Sequence, residues 1–265
     1  MNPLSANLRW LFLEWPFYER LRVAAKLGFK AVDFSLPYAF PAKELKARLD
    51  EHGLRFVYML TPSGDWDAGE LGIGALPGRE TEFRAGVGRA LEYAATLGCP
   101  LIHAASGIVP RGAERARCRA VYLENLAYAC DLAKRSGVTV AIEPICTAAH
   151  SEFLLNRTAE GIAIMDELRR DNLRLVYDTH HAAMEEGAVA TTLESHLGRI
   201  AHFQIANPPS RNEPGAGELD FDYLFDLLER RQFNGWISAE YRPTGGTLAS
   251  LGWAKRFGID NAQTV

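Results

Sequence analysis

Four short segments of this chain end on an oxygen-bearing side chain: Ala141-Ile-Glu143-Pro144, Val176-Tyr-Asp178, His202-Phe-Gln204-Ile205 and Ser238-Ala-Glu240-Tyr241. Each closes a run rich in β-branched, aromatic or small apolar residues, the pattern of a strand buried on both faces. Pro144 has no backbone N–H and cannot continue a central strand, so Glu143 stands at the C-terminal mouth of its strand. One such glutamate would read as a solvated strand end; the recurrence at four strands argues for a common site. If the strands are neighbours, three carboxylates and one amide converge on a point. Like charges so placed push one another's pKa upward unless a divalent cation neutralises them. An oxygen-only donor set suits Mg2+ or Mn2+ better than zinc.

Further polar residues flank these strand ends. His181, three residues after Asp178, is placed to hydrogen-bond a substrate oxygen, whereas His180 reads as a helix-capping loop residue. His202 shares a strand face with Gln204 two residues deeper, which predicts a packed, hydrogen-bonded core histidine. Arg211, beside Glu213-Pro-Gly215, and Arg242, two residues after Glu240, each offer a two-pronged hydrogen bond to a carboxylate.

The elements that must position these residues follow from glycine punctuation and periodicity. Leu27-Gly28, His52-Gly53, Leu97-Gly98, Ser136-Gly137 and Leu197-Gly198 each put glycine where a helix ends and an apolar strand begins. The spacing predicts eight strands, at 3–8, 31–34, 55–60, 101–105, 138–143, 173–178, 200–206 and 236–240. Helices with apolar residues three and four apart lie between them, as in Tyr122, Leu126, Ala129, Ala133 or Phe221, Leu224, Phe225, Leu228. Strand and helix alternating in units of roughly 30 residues imply a single α/β domain, a closed (β/α)8 barrel over residues 1–258 with a tail at 259–265. A six-stranded open sheet fits less well, because no Gly-x-Gly-x-x-Gly follows the first strand. The long strand-to-helix connections, 61–78, 106–112, 146–158 and 207–220, fall on one face of such a barrel and are the expected binding loops. The glycines at 64, 69, 72, 74 and 78 read as a flexible lid without a phosphate role.

Composition excludes several classes. With 29 Lys+Arg against 33 Asp+Glu the chain carries a net charge of -4, which gives no footprint for nucleic acid or an anionic membrane. No apolar run approaches a membrane span and the N-terminus lacks a secretory pattern, so a cytosolic protein acting on a small molecule is expected, with a homo-oligomer left open. Cys99, Cys118, Cys130 and Cys146 show no paired spacing and read as buried thiols.

The motifs Ser5-Ala-Asn-Leu8, Pro62-Ser-Gly-Asp-Trp66, Pro77-Gly-Arg-Glu80 with Glu82-Phe-Arg84, Ile142-Glu-Pro144, Tyr177-Asp178, Gln204-Ile-Ala206, Glu213-Pro-Gly215, Gly217-Glu218, Asp222-Tyr-Leu-Phe225 and Glu240-Tyr241 together resemble the hydroxypyruvate isomerase family of xylose-isomerase-like barrels. The resemblance runs along almost the whole chain. It implies that Glu143, Asp178, Gln204 and Glu240 bind a divalent metal, with Glu143 and Glu240 also the acid/base pair of a hydroxypyruvate or 2-oxo-tetronate isomerase. The chain departs from the family pattern at Met59-Leu60, where a His-Asn pair is expected, and at Gly107-Ile108, where Gly-Lys is expected; both changes remove polar groups from the mouth and put the substrate in question. A ketose 3-epimerase would use a similar glutamate pair, and Gln204 in place of a histidine ligand argues mildly against it. An abasic-site endonuclease would need a His-rich metal cluster and a basic face. A non-catalytic sugar-acid binding barrel would have no use for the second glutamate.

Overall fold

The computed structural model describes residues 2–66 and 68–260. Among these, nine strand segments run in chain order: β1 (Leu4–Asn7), β2 (Ala31–Asp33), β3 (Arg55–Phe56), β4 (Met59–Leu60), β5 (Leu101–His103), β6 (Thr139–Ile142), β7 (Leu173–Asp178), β8 (Ile200–Ile205) and β9 (Trp236–Ala239). The helices are α1 (Phe17–Lys26), α2 (Ala42–Glu51), α3 (Glu80–Leu97), α4 (Arg115–Lys134), α5 (Thr158–Leu168), α6 (Thr179–Glu185), α7 (Val189–His196), α8 (Phe221–Arg230) and α9 (Thr247–Ser250). All strand pairings are parallel, in the order β3-β2-β1-β9-β8-β7-β6-β5-β4.

The third strand expected from sequence is the one that divides, into β3 and β4 around Val57-Tyr58. Hydrogen bonds to the second strand nevertheless continue across the break, from Val57 N to Val32 O at 3.1 Å, Phe34 N to Tyr58 O at 3.4 Å and Leu60 N to Ser35 O at 2.8 Å. The two segments thus act as one strand, and the sheet closes into the eight-stranded barrel that the alternation implied.

Side-chain alternation sorts each strand between two environments. Leu4, Ala6, Val32, Met59, Ile102, Ala104, Val140, Ile142, Leu175, Tyr177, Phe203, Ile205, Ile237 and Ala239 belong to the main core between sheet and helices. The intervening residues face the barrel axis, where Tyr58, Leu60, Leu101, Ala105, Ala141 and Val176 form a second, smaller cluster. Helix faces match: in α8 Phe221, Leu224, Phe225 and Leu228 are buried, and Asp220 caps the helix by accepting from Tyr223 N at 3.0 Å.

Glycine marks most of the helix-to-strand joints as expected. Gly98 caps α3 at φ +67°, but Gly198 lies in a 3₁₀ turn without a positive φ. The glycine-rich stretch at 64–78 differs from the flexible lid expected of it. Gly72 and Gly74 are buried against Ala105, and a Cβ on Gly107 would lie 2.0 Å from Gly72 O, so two loops cross here backbone to backbone. At the C-terminus, Ile259 is buried and Asp260 N donates to Leu27 O at 2.9 Å, while 261–265 of the expected tail lie outside the described residues. Among the described residues no helix is long and apolar enough to cross a membrane.

Candidate active site

The axis-facing positions of β5 to β9 explain the site. Counting by twos from Ala141, Val176, His202 and Ser238 brings Glu143, Asp178, Gln204 and Glu240 to the inner surface at the C-terminal end. The register pairs Asp178 with Gln204 and Gln204 with Ser238. A cavity of about 450 Å³ opens over this end and is lined by, among others, Arg9, Trp10, Trp66, Glu143, His181, Arg211, Glu240 and Arg242, a volume suited to a small molecule. Five of the seven site residues expected from sequence therefore face the cavity. Asp178 and Gln204 do not line it; they are buried, 3% and 1% exposed.

Arg211 ties the carboxylates together. Its Nη2 donates to Asp178 Oδ2 at 2.6 Å and to Glu240 Oε1 at 3.2 Å, while Nη1 lies 3.0 Å from His181 Nε2 and Nε has no partner among the described residues. The residue reaches this position with φ +59°, a strained conformation for a non-glycine. Asp178 Oδ1 caps α6, accepting from His180 N at 2.7 Å and His181 N at 3.2 Å. Both histidines consequently stand on the first turn of α6 and face the cavity, including His180, for which only a capping role was expected. Trp10 Nε1 donates to Glu240 Oε1 at 3.2 Å, and the Trp10 ring lies under both Arg211 and Arg242, at 5.4 and 5.1 Å.

Burial and mutual repulsion govern the electrostatics. Desolvation, then the charges of Glu240 and Asp178, push Glu143 well above the usual carboxylate range, and desolvation raises Glu240 to about 8 against the pull of Arg211. Asp178 is also raised by burial, but the Arg211 guanidinium and the His181 backbone N–H outweigh that and hold it below its ordinary value. Burial lowers His181 to about 3, so its imidazole is neutral.

Below the carboxylates the axis is more polar than sequence suggested. Tyr58 Oη lies 2.7 Å from His103 Nδ1, which is 3.4 Å from Glu143 Oε2. His202 is packed in the core as expected, stacked on Tyr58 at 4.7 Å, but the hydrogen bonding also expected of it is missing at Nε2, which has no partner among the described residues. Arg9, stacked on Trp66 at 4.1 Å, adds a cation to the mouth. Arg9, Trp10, Tyr58 and His103 were not singled out from sequence. For Tyr58 and His103 the signal was there, because a two-residue step along their strands puts both on the axis. Arg9 and Trp10 follow the first strand in a connection with no glycine to mark it. Of the two departures noted above, only Leu60 faces the cavity. Met59 points into the main core, and Ile108 bridges Phe153 in a short antiparallel contact.

Among the described residues two groups of side chains could hold a metal ion: ligand atoms of Glu143, Asp178 and His181, and those of Cys146, His180 and His181, lie within 4.8 Å of one another in each group. The first group holds Glu143 and Asp178 but not Glu240; for the oxygen-lined set expected from sequence the fit is supported by two buried atoms without partners among the described residues, Gln204 Oε1 and Glu240 Oε2.

Known proteins share this arrangement of strands. The family model described as xylose isomerase-like TIM barrel matches residues 21–257. A 2-oxo-tetronate isomerase from Cupriavidus necator is 47% identical over 257 residues, 97% of this chain and 99% of the relative. A hydroxypyruvate isomerase from Escherichia coli is 39% identical over 96% of this chain and 98% of its own. A crystal structure from Brucella melitensis, described as an AP endonuclease of family 2, superposes with a TM-score of 0.94 at 39% identity, covering 97% of this chain and 99% of that one. With identity of this order over nearly full length, the chain belongs to the xylose isomerase-like TIM-barrel family, among its hydroxypyruvate and 2-oxo-tetronate isomerase relatives.

Proposed function

We propose that the chain is a metal-assisted isomerase of a small hydroxy-oxo acid, interconverting hydroxypyruvate and 2-hydroxy-3-oxopropanoate or acting on a 2-oxo-tetronate, by proton transfer between Glu143 and Glu240 through an enediolate. The observation that carries this reading is one cavity holding two buried glutamates with raised pKa beside an arginine wall. The names of the Cupriavidus and Escherichia relatives support the substrate class.

Glu143, Asp178, Gln204 and Glu240 would hold the divalent cation, Mg2+ or Mn2+ by their oxygen donors. Such an ion supplies Lewis-acid stabilisation of negative charge on neighbouring substrate oxygens. The remaining work belongs to side chains. Arg211, with Nε unengaged, and Arg242 bind the substrate carboxylate, and stacking against Trp10 holds both guanidinium groups in place. Trp10 and Arg211 occupy Glu240 Oε1, which leaves Oε2 as the atom that carries a proton. One glutamate removes a proton from the carbon bearing the hydroxyl, the other delivers one to the adjacent carbon, and the roles exchange in the reverse direction. His181 hydrogen-bonds a substrate oxygen. Leu60, Ile145 and Phe153 give the cavity an apolar side, which tolerates a less polar tail than a fully hydrogen-bonding mouth would.

The test is incubation of the protein and Mg2+ or Mn2+ in D2O with hydroxypyruvate, 2-oxo-tetronates and ketoses, followed by NMR. Isomerised hydroxy-oxo acid carrying solvent deuterium at the new C–H supports the reading. Turnover of ketoses to epimers alone, or of nothing in the panel, overturns it.

A further inference from the structure

We infer that Cys146, His180 and His181 form a second metal site, for a borderline-soft divalent cation such as Zn2+, beside the oxygen-lined group and chemically distinct from it. The isomerase reading plays no part in this inference. It starts from the donor set: one sulfur and two imidazoles are the ligands zinc takes, whereas Mg2+ and Mn2+ favour oxygen. Their ligand atoms lie within 4.8 Å of one another, and Cys146 Sγ is 3.2 Å from His181 Nδ1. All three residues are buried, at 0%, 9% and 7% exposure, yet both histidines face the cavity, so an ion can arrive from solvent.

A second observation points to a ligand. His180 Nδ1 is a buried ring nitrogen with no hydrogen-bond partner among the described residues, in a side chain whose backbone is pinned by the Asp178 cap. A buried nitrogen left unpaired is costly, and coordination would recover that cost. His150 follows Cys146 by one helical turn, its N–H donating to Cys146 O at 3.2 Å, and lines the same cavity near the open side of the group.

His181 divides its two nitrogens between the groups. Nε2 faces Arg211 Nη1 at 3.0 Å and Asp178 Oδ2 at 3.9 Å, and Nδ1 faces Cys146. Nδ1 also lies 3.4 Å from the Cys146 backbone N, so one residue presents it with both a backbone N–H and a sulfur. Coordination at Nδ1 leaves the ring proton on Nε2, opposite an Arg211 N–H, so occupancy obliges Arg211 to release His181. The Cys146 thiol proton leaves to solvent as the thiolate binds.

Cobalt(II) added to the Mg2+-loaded protein tests the site, because only a thiolate ligand produces an intense near-ultraviolet sulfur-to-cobalt absorption. The expected result is such a band saturating at one cobalt per chain, bleached by Zn2+, absent in Cys146→Ser, and requiring at least tenfold more cobalt in His180→Gln. Mn2+ binding to the oxygen-lined group, followed by its paramagnetic signal, persists in both variants. If Cys146→Ser fails to fold by circular dichroism, the His180→Gln shift decides alone. No sulfur-to-cobalt band in the wild type, a band retained in Cys146→Ser, or no shift in His180→Gln overturns the site.

Discussion

At the scale of single residues, Glu143 and Glu240 carry the sharpest expectation. Glu143→Gln and Glu240→Gln keep shape and one oxygen but remove the proton carrier, so each lowers turnover by about 10²–10⁴. Because both act on one intermediate, the double variant loses far less than the product of the two. Wild-type kcat in both single variants would contradict proton transfer and favour a hydride shift. The same burial makes the metal-free protein pH-sensitive. Asp33, wholly buried and accepting from Ser5, Asn7 and Ser238, is raised by desolvation from 3.8 to about 6, and Glu240 from 4.5 to about 8. Both bind protons more tightly folded than unfolded, so the stability they contribute is complete below the unfolded values and is lost as pH rises through about 6 and then about 8. Thermal melts of the EDTA-treated protein are expected to fall across that window, with Asp33→Asn flattening its lower half. A Tm that rises from pH 5 to 8 would refute the assignment.

Among elements, the loop crossing at Gly72 and Gly107 makes a prediction of its own. Gly107 has φ +92° and no room for a Cβ, so Gly107→Ala is expected to destabilise by about 1–3 kcal/mol, seen as a lower urea midpoint. An unchanged midpoint would show that the crossing is loose. The crossing also shows what sequence could convey. Eight strands, their helices and the placement of Glu143, Asp178, Gln204 and Glu240 at one end of the barrel were legible because each follows from a local rule: period two along a strand, three and four along a helix, proline after Glu143. That Gly72 meets Gly107 was not, because the contact joins distant segments and glycine looks the same in a mobile loop as in a tight one. Trp10 escaped for a related reason, since a tryptophan after a strand resembles core until Glu240 is seen to accept its N–H. The Val57-Tyr58 break in the third strand left no mark in the β-rich run 55–60.

For the molecule as a whole, the expected cation is a linkage partner. A ligand that binds only the folded chain stabilises it by about 2.7 kcal/mol at 100 times its Kd, so EDTA should lower the Tm and Mg2+ or Mn2+ restore it. Asp178→Ala, which removes a donor that moves no proton, should reduce that increment; an increment unchanged by the substitution would remove Asp178 from the ion's surroundings. The way the barrel closes also sets an order in time. β1 pairs with β2 on one side and with β9 on the other, and the Asp33 carboxylate between them draws one donor, Ser238, from β9. During synthesis the first strand therefore waits for almost the last, and neither its far edge nor the Asp33 carboxylate is fully paired until residue 238 has left the ribosome. Chains halted before Trp236 should consequently remain protease-sensitive without a cooperative melt, and release of the final segment should convert them to the resistant form in a single step.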